Sequence, residues 1–242
     1  MSVGVLRSEE WIRAATPRAA AYEGKTIREV GGWSPETFAR EQIRGLVRQV
    51  FFAHATHPAK QVVFSAANSG MDVGSICRRV GEVLASETDD RVVVVADLPR
   101  FQEAQKNGNR YSSEAVSESE ASQGWQLAAT RVGRNLWFLP ETKIANEDQD
   151  AVAATSLKAH LGALRREFTY SIVEAPPAGV SSEAAALGQL ADGLILVLSA
   201  HSTRRTAAHK IKETLDATQA RLLGTVLSDR IFPIPESIYR WL

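Results

Sequence analysis

Short apolar runs alternate with amphipathic stretches along most of this chain. Residues 62–66, 91–96, 135–139, 170–173, 194–198 and 222–227 read as strands. The run at 91–96 contains four consecutive valines, Val92 to Val95, as a strand buried on both faces would. Between these runs, 73–85, 151–168, 182–191 and 203–218 read as helices. Leu157, Leu161 and Leu164 mark the stripe in the second of them, and Ser182 suits the cap of the third. A further helix is predicted over 34–53. Ser34 suits its cap, Pro35 its first turn, and Phe38, Ile43, Leu46, Val47 and Val50 lie on one stripe. Alternating strands and helices predict an α/β fold: a doubly wound, mostly parallel sheet with helices on both faces. Ligands of such sheets bind at the C-terminal ends of the strands. Here those ends are the loops at 66–75, 96–100, 174–180 and 199–204.

Outside the periodic region the pattern fails. Residues 1–34 show no sustained period and are predicted to form an extended N-terminal arm. The domain then spans 35–230, interrupted at 102–123 by a polar, Ser/Glu-rich stretch predicted to be a mobile loop. Residues 231–242 form an apolar, aromatic tail with Tyr239 near its end. It either folds over the domain or docks on a partner.

Charge and composition narrow the classes. Twenty-eight basic residues balance 28 acidic ones, so no overall field steers the chain to nucleic acid, and no nucleic-acid partner is expected. The one cysteine, Cys77, excludes an internal disulfide; its apolar register makes it core filler. No apolar run approaches the roughly 20 residues of a spanning helix. The first thirteen residues lack the apolar segment of a signal peptide. The expectation is a cytoplasmic protein that meets a membrane only through a partner. His54, His57, His160, His201 and His209 are scattered without zinc-ligand spacing.

The chemistry concentrates at 61–85, where a strand, a small-residue loop and a helix have the layout of a phosphate-binding P-loop. Asn68, Ser69, Gly70 and Ser75 are small enough for a phosphate to approach the helix N-terminus. A working P-loop ends in a lysine that holds the β/γ-phosphates and a Ser/Thr that holds Mg²⁺. Val73 and Gly74 occupy those places, and no lysine occurs between Lys60 and Lys106. Asp72 adds a negative charge where phosphate would sit. Gly24-Lys25-Thr26 mimics the end of such a motif, but no strand precedes it and Ala19 stands where the first glycine belongs. The loop at 68–75 is therefore expected to keep the turn without its charge complement, and ATP and Mg²⁺ bind only if that altered loop still accepts them.

Two carboxylates, Asp97 and Glu174, follow predicted strands at the ligand-binding ends. One reading is a residual Mg²⁺ site, since hard oxygen ligands suit that ion. The other is a carboxylate pair that is solvated, or bonded to Arg100, Thr203 or Arg204, and needs no metal. On the first helix, Glu41, Arg44 and Arg48 are either a solvated ion-pair face or a contact between subunits.

Three motifs in the C-terminal half occur in a familiar order. They are Tyr170-Ser171-Ile172-Val173-Glu174-Ala175-Pro176-Pro177, the stretch from Ser181 to Ala207 with Asp192-Gly193 and Thr203-Arg204, and the stretch from Ala220 to Arg230. Over roughly residues 36–230 the chain resembles the bacterial tyrosine kinases (BY-kinases) of capsule and exopolysaccharide synthesis, in the MinD/ParA-like branch of P-loop proteins. The resemblance implies a P-loop NTPase-like fold, ATP-dependent protein tyrosine kinase activity, and a membrane-bound polysaccharide co-polymerase as partner. The chemistry motifs depart from the family. Its G-x-G-K-T corresponds to Gly70, Met71, Asp72, Val73 and Gly74. Its D-x-D corresponds to Val95-Ala96-Asp97 and its D-T-P-P to Glu174-Ala175-Pro176-Pro177, so the resemblance makes Asp97 and Glu174, on neighbouring strands of that fold, the candidate catalytic residues. Ser228 stands for a base-contacting asparagine. The assembly motif E-x-x-R-x-x-R retains Glu41 and Arg44, with Arg48 one residue late, and a single Tyr239 stands for a tyrosine cluster. The resemblance thus implies a degenerate member, a non-catalytic regulator or adaptor, with an active kinase or ATPase as the alternative. A homo-oligomer through the Glu41–Arg44 helix is the assembly it implies.

Overall fold

The apolar runs assemble into one sheet. The computed structural model describes residues 5–6, 35–52, 58–96, 129–140 and 150–229. Its strands are β1 (Val5–Leu6), β2 (Gln61–Ala66), β3 (Val92–Val95), β4 (Thr130–Arg131), β5 (Leu136–Leu139), β6 (Tyr170–Ala175), β7 (Gly193–Ser199) and β8 (Leu222–Ser228). The helices are α1 (Pro35–Val47), α2 (Val73–Glu87), α3 (Asp150–Glu167), α4 (Glu183–Leu190) and α5 (Arg205–Ala217). Strand order is β1-β8-β7-β2-β6-β3-β5-β4. The run from β8 to β5 is parallel; β1 and β4 close the two edges antiparallel. This is the doubly wound α/β sheet that the alternation predicts.

Alternation along the strands divides the core in two. Val62, Phe64, Val92, Val94 and Ile172 pack against Leu46 and Val47 of α1 and Cys77, Val80 and Leu84 of α2. Val63, Val93, Val95, Val173, Leu194 and Leu196 pack on the other face against Leu161, Leu164, Leu187 and Leu215. Every residue of β2 and β3 is buried, as central parallel strands require. Cys77 is fully buried in the first cluster. Gly81 lets α2 lie close to the sheet, because a Cβ there would stand 2.3 Å from the Val94 side chain.

Several boundaries differ from the sequence expectation. The helix predicted over 34–53 is α-helical only to Val47 and continues as a π-helix, Arg48–Phe52. Widening the turn lets Val47, Val50 and Phe51 all reach the core while Phe52 turns outward. Strand β6 runs to Ala175, which pairs with Ser65 of β2, so Glu174 lies inside the strand rather than after it. Ser182 sits at the cap of α4 without a capping bond; the Ser181 hydroxyl accepts the Glu183 N–H instead, at 3.1 Å. In the predicted arm, Val5 and Leu6 pair with Val226 and Thr225. The rest of the arm with Gly24-Lys25-Thr26, Ser34, the 102–123 loop and the 231–242 tail lie outside the described residues.

At the N-terminal edge of the sheet a polar clasp ties three elements together. The Asp192 carboxylate accepts the Lys60 and Gln61 N–H groups, both at 2.7 Å, and pairs with Arg165 at 2.8 Å. Arg165 also donates to the buried Gln61 side chain at 2.7 Å, whose amide donates to the Leu161 carbonyl. A Cβ on the next residue, Gly193, would meet the Arg221 carbonyl at 2.7 Å, so glycine is needed there. Asp192-Gly193 is thus a hinge of packing at the foot of β7.

Candidate functional site

The C-terminal ends of the parallel strands carry the loops singled out above. The loop after β2 begins at Ala67, whose N–H donates to the Val197 carbonyl at 2.9 Å. The loop after β6 lies against it. The Ser65 hydroxyl donates to the Pro176 carbonyl at 2.7 Å, and the Ala178 N–H to the Ala66 carbonyl at 2.8 Å. Gly179 approaches so closely that a Cβ would stand 2.4 Å from the Ala67 carbonyl oxygen. Val180 follows, 74% exposed. Beyond β7, the Ser199 N–H donates to the Thr203 hydroxyl at 2.9 Å, which closes the turn into α5.

Within the loop itself, Gly70 has φ +87°, a left-handed conformation suited to glycine. Asn68 is half-buried, while Ser69 and Gly70 are exposed. Val73 is only 2% exposed and packs into the α1–α2 face of the core; Gly74 is buried beside it. Asp72 caps α2. Its carboxylate accepts the Ser75 N–H at 2.9 Å and the Ser75 hydroxyl at 2.6 Å. A helix N-terminus attracts anions through its unpaired N–H groups and its dipole. Here the chain supplies the anion. A phosphate brought to this end would meet a carboxylate already bonded, with no lysine in the loop or the first turn of α2.

Expected from the sequence only as a repulsive charge, Asp72 is in the structure the cap of α2. Its signal was visible: an aspartate three residues before a serine, at the start of an apolar-periodic helix. The acidic candidates are placed unequally. Glu174 is half-buried in β6, beside Phe64 of β2. Asp97 and Arg100 lie outside the described residues, although Val95 and Val173 pair where β3 and β6 run side by side. Ser228, at the end of β8, is buried. Among the described residues no three His, Cys, Asp or Glu side chains group as metal ligands.

Away from the strand ends, the α1 arginines meet a partner the sequence did not suggest. Arg44 bonds both Glu41 and, at 3.0 Å, Glu87 at the end of α2; Arg48 reaches the same Glu87 at 3.2 Å. These pairs close within the chain and hold α1 against α2.

Comparison with known proteins follows the same outline. The tyrosine-protein kinase YwqD of Bacillus subtilis is 23% identical over 198 residues, 81% of this chain and 83% of that protein. The tyrosine-protein kinase CpsD of Streptococcus agalactiae is 28% identical over 102 residues, 42% of this chain and 44% of that protein. The chain is thus similar to bacterial tyrosine kinases over most of its length. No protein-family model matches the chain. The kinase domain of the Escherichia coli tyrosine kinase ETK superposes with a TM-score of 0.64 at 16% identity, covering 88% of this chain and 84% of that one. The MinD cell division protein of Aquifex aeolicus gives 0.52 at 17% identity, covering 76% and 73%. Both share its P-loop NTPase-like fold. No described helix is long and apolar enough to cross a membrane.

Proposed function

We propose that this BY-kinase relative is a non-catalytic regulator or adaptor in exopolysaccharide or capsule biosynthesis and export. The observation that carries this reading is the Asp72 cap on α2, at the place where a P-loop holds phosphate. Phosphoryl transfer depends on charge complementarity to the transferring group. At this helix end a carboxylate stands instead, Val73 is packed into the core, and Gly74 has no hydroxyl for Mg²⁺. These residues do not fit a Mg²⁺–triphosphate, so no catalytic step is assigned to Asp97 or Glu174. Asn68, Ser69, Gly70, Val73, Gly74 and Ser75 keep the strand–turn–helix shape of a nucleotide site.

By likeness to the kinases, the partner is a membrane-bound polysaccharide co-polymerase or another export component, which brings a cytoplasmic chain to the membrane. Arg44 and Arg48 are held by Glu87 of the same chain, so self-association through the Glu41–Arg44 helix would have to share those side chains. The alternative is an active ATP-dependent tyrosine kinase or ATPase with an unorthodox loop, favoured by the kinase names of the relatives. Incubation with γ-labelled ATP and Mg²⁺ separates the two. The adaptor reading expects no label on Tyr239 or elsewhere and no phosphate release. Label that Asp97→Ala abolishes would establish the enzyme.

A further inference from the structure

The opposite edge of the sheet, where the parallel strands begin, carries a row of cations that the proposed function does not use. Lys60, Arg91 and Arg221 immediately precede β2, β3 and β8, while Arg166 lies in the last turn of α3, which leads into β6. All four are exposed. In the strand order β8-β7-β2-β6-β3 they line one edge, with about 5 Å between neighbouring strands. None of the four has a carboxylate partner among the described residues, and the Arg91 guanidinium is stacked on the Trp137 and Phe168 rings, 4.9 Å from each. Of the carboxylates nearby, Asp192 pairs with Arg165 and Asp89 with Arg134, and Glu167 is engaged; Asp90 accepts only the Thr88 hydroxyl and keeps its negative charge beside Tyr170. A cleft of about 430 Å³ opens on this edge, with Lys60, Arg165, Arg166 and Asp192 in its walls.

An apolar anchor lies at the same edge. The π-helix turns Phe52 outward, 40% exposed, with its ring 6.2 Å from that of Tyr170. Tyr170 is flanked by the two lysine- and arginine-bearing strand starts: its N–H donates to the Arg91 carbonyl, and the Ser171 N–H to the Lys60 carbonyl. π-turns are concentrated at functional positions, and exposed aromatics beside charge are common interface anchors.

We propose that this edge docks an acidic segment of a partner protein, with its carboxylates on Lys60, Arg91, Arg166 and Arg221 and an apolar side chain against Phe52. A lipid surface fits less well. The edge is concave and mixes its cations with occupied carboxylates, whereas a bilayer-binding face is a polybasic patch or an amphipathic helix with a broad apolar side. Charge of this kind chiefly raises association rate and specificity, and it is weakened by salt. The site is independent of the P-loop reading, because it lies at the other end of the strands.

The test uses the full chain and a fluorescein-labelled Glu/Asp-rich peptide carrying one central phenylalanine, followed by fluorescence anisotropy at low ionic strength. Saturable binding is expected, weakened about tenfold or more by the triple variant Lys60→Glu/Arg166→Glu/Arg221→Glu. Phe52→Ser should weaken it separately. All four positions are solvent-facing, and an unchanged circular dichroism spectrum confirms that the variants fold. Phosphatidylserine/phosphatidylcholine vesicles form the second arm. No binding of the peptide to the wild type, equal binding by the triple variant, or binding of vesicles in place of the peptide would each overturn the proposal.

Discussion

The Asp72 carboxylate is bonded twice to Ser75, through its backbone N–H and its hydroxyl. That one relationship gives α2 its start and leaves an anion at the helix end. Asp72→Ala is expected to lower stability by about 1 kcal/mol, the usual cost of a lost cap. Asp72→Asn, which keeps an acceptor, should lose much less. Urea denaturation of the two variants checks this; equal losses would mean that the carboxylate acts through something other than the cap.

Glu87 joins α2 to α1 through Arg44 and Arg48. The glutamate side chain is mostly shielded at 18% exposure, but the arginines are 35% and 65% exposed, so solvent and salt weaken the attraction. Glu87→Ala should cost about 1 kcal/mol or less at low salt, and the loss should shrink in high salt. Denaturation midpoints at two ionic strengths measure it. A loss indifferent to salt would point to packing rather than charge.

Asp192 satisfies two backbone N–H groups and one guanidinium at the foot of the sheet. Its replacement by alanine leaves Lys60 and Gln61 N–H groups without their acceptor and Arg165 without its counter-charge. A destabilisation of about 3 kcal/mol is expected, with Asp192→Asn intermediate. Hydrogen exchange should show faster exchange at Lys60 and Gln61 in the alanine variant. Unchanged protection there would contradict the clasp.

Burial raises the Tyr170 hydroxyl above its ordinary value of 10.0, and the negative charge of Asp90 raises it further. The folded state therefore holds this proton more tightly than the unfolded chain does. The resulting stability is complete below the unfolded value and is lost as pH rises through the folded one. Stability of the wild type should fall at pH above about 10, and Tyr170→Phe should flatten part of that fall. An alkaline limb unchanged in the variant would assign it to other groups.

The strands were legible because each is an apolar run short enough to be buried on both faces, as Val92 to Val95 is. The helical stripes were legible for the same reason, down to Leu161 and Leu164 against the second face. What escaped depends on contacts distant in sequence. Glu87 lies 39 residues from Arg48, and Asp192 lies 131 from Gln61, so no local period reveals either pair. β4 is two residues long and carries no pattern of its own. The π-turn at Arg48–Phe52 arises from packing of Phe51, which a helical stripe does not encode. At the candidate site the missing lysine was plain from Val73, but the role of Asp72 required seeing its carboxylate folded back on Ser75.

Isothermal titration of Mg²⁺–ATP into the wild-type chain tests the central claim most directly. With Asp72 on the helix end and Val73 in the core, no saturable binding is expected. Clear binding in the micromolar range, abolished by Asp97→Ala, would contradict the account.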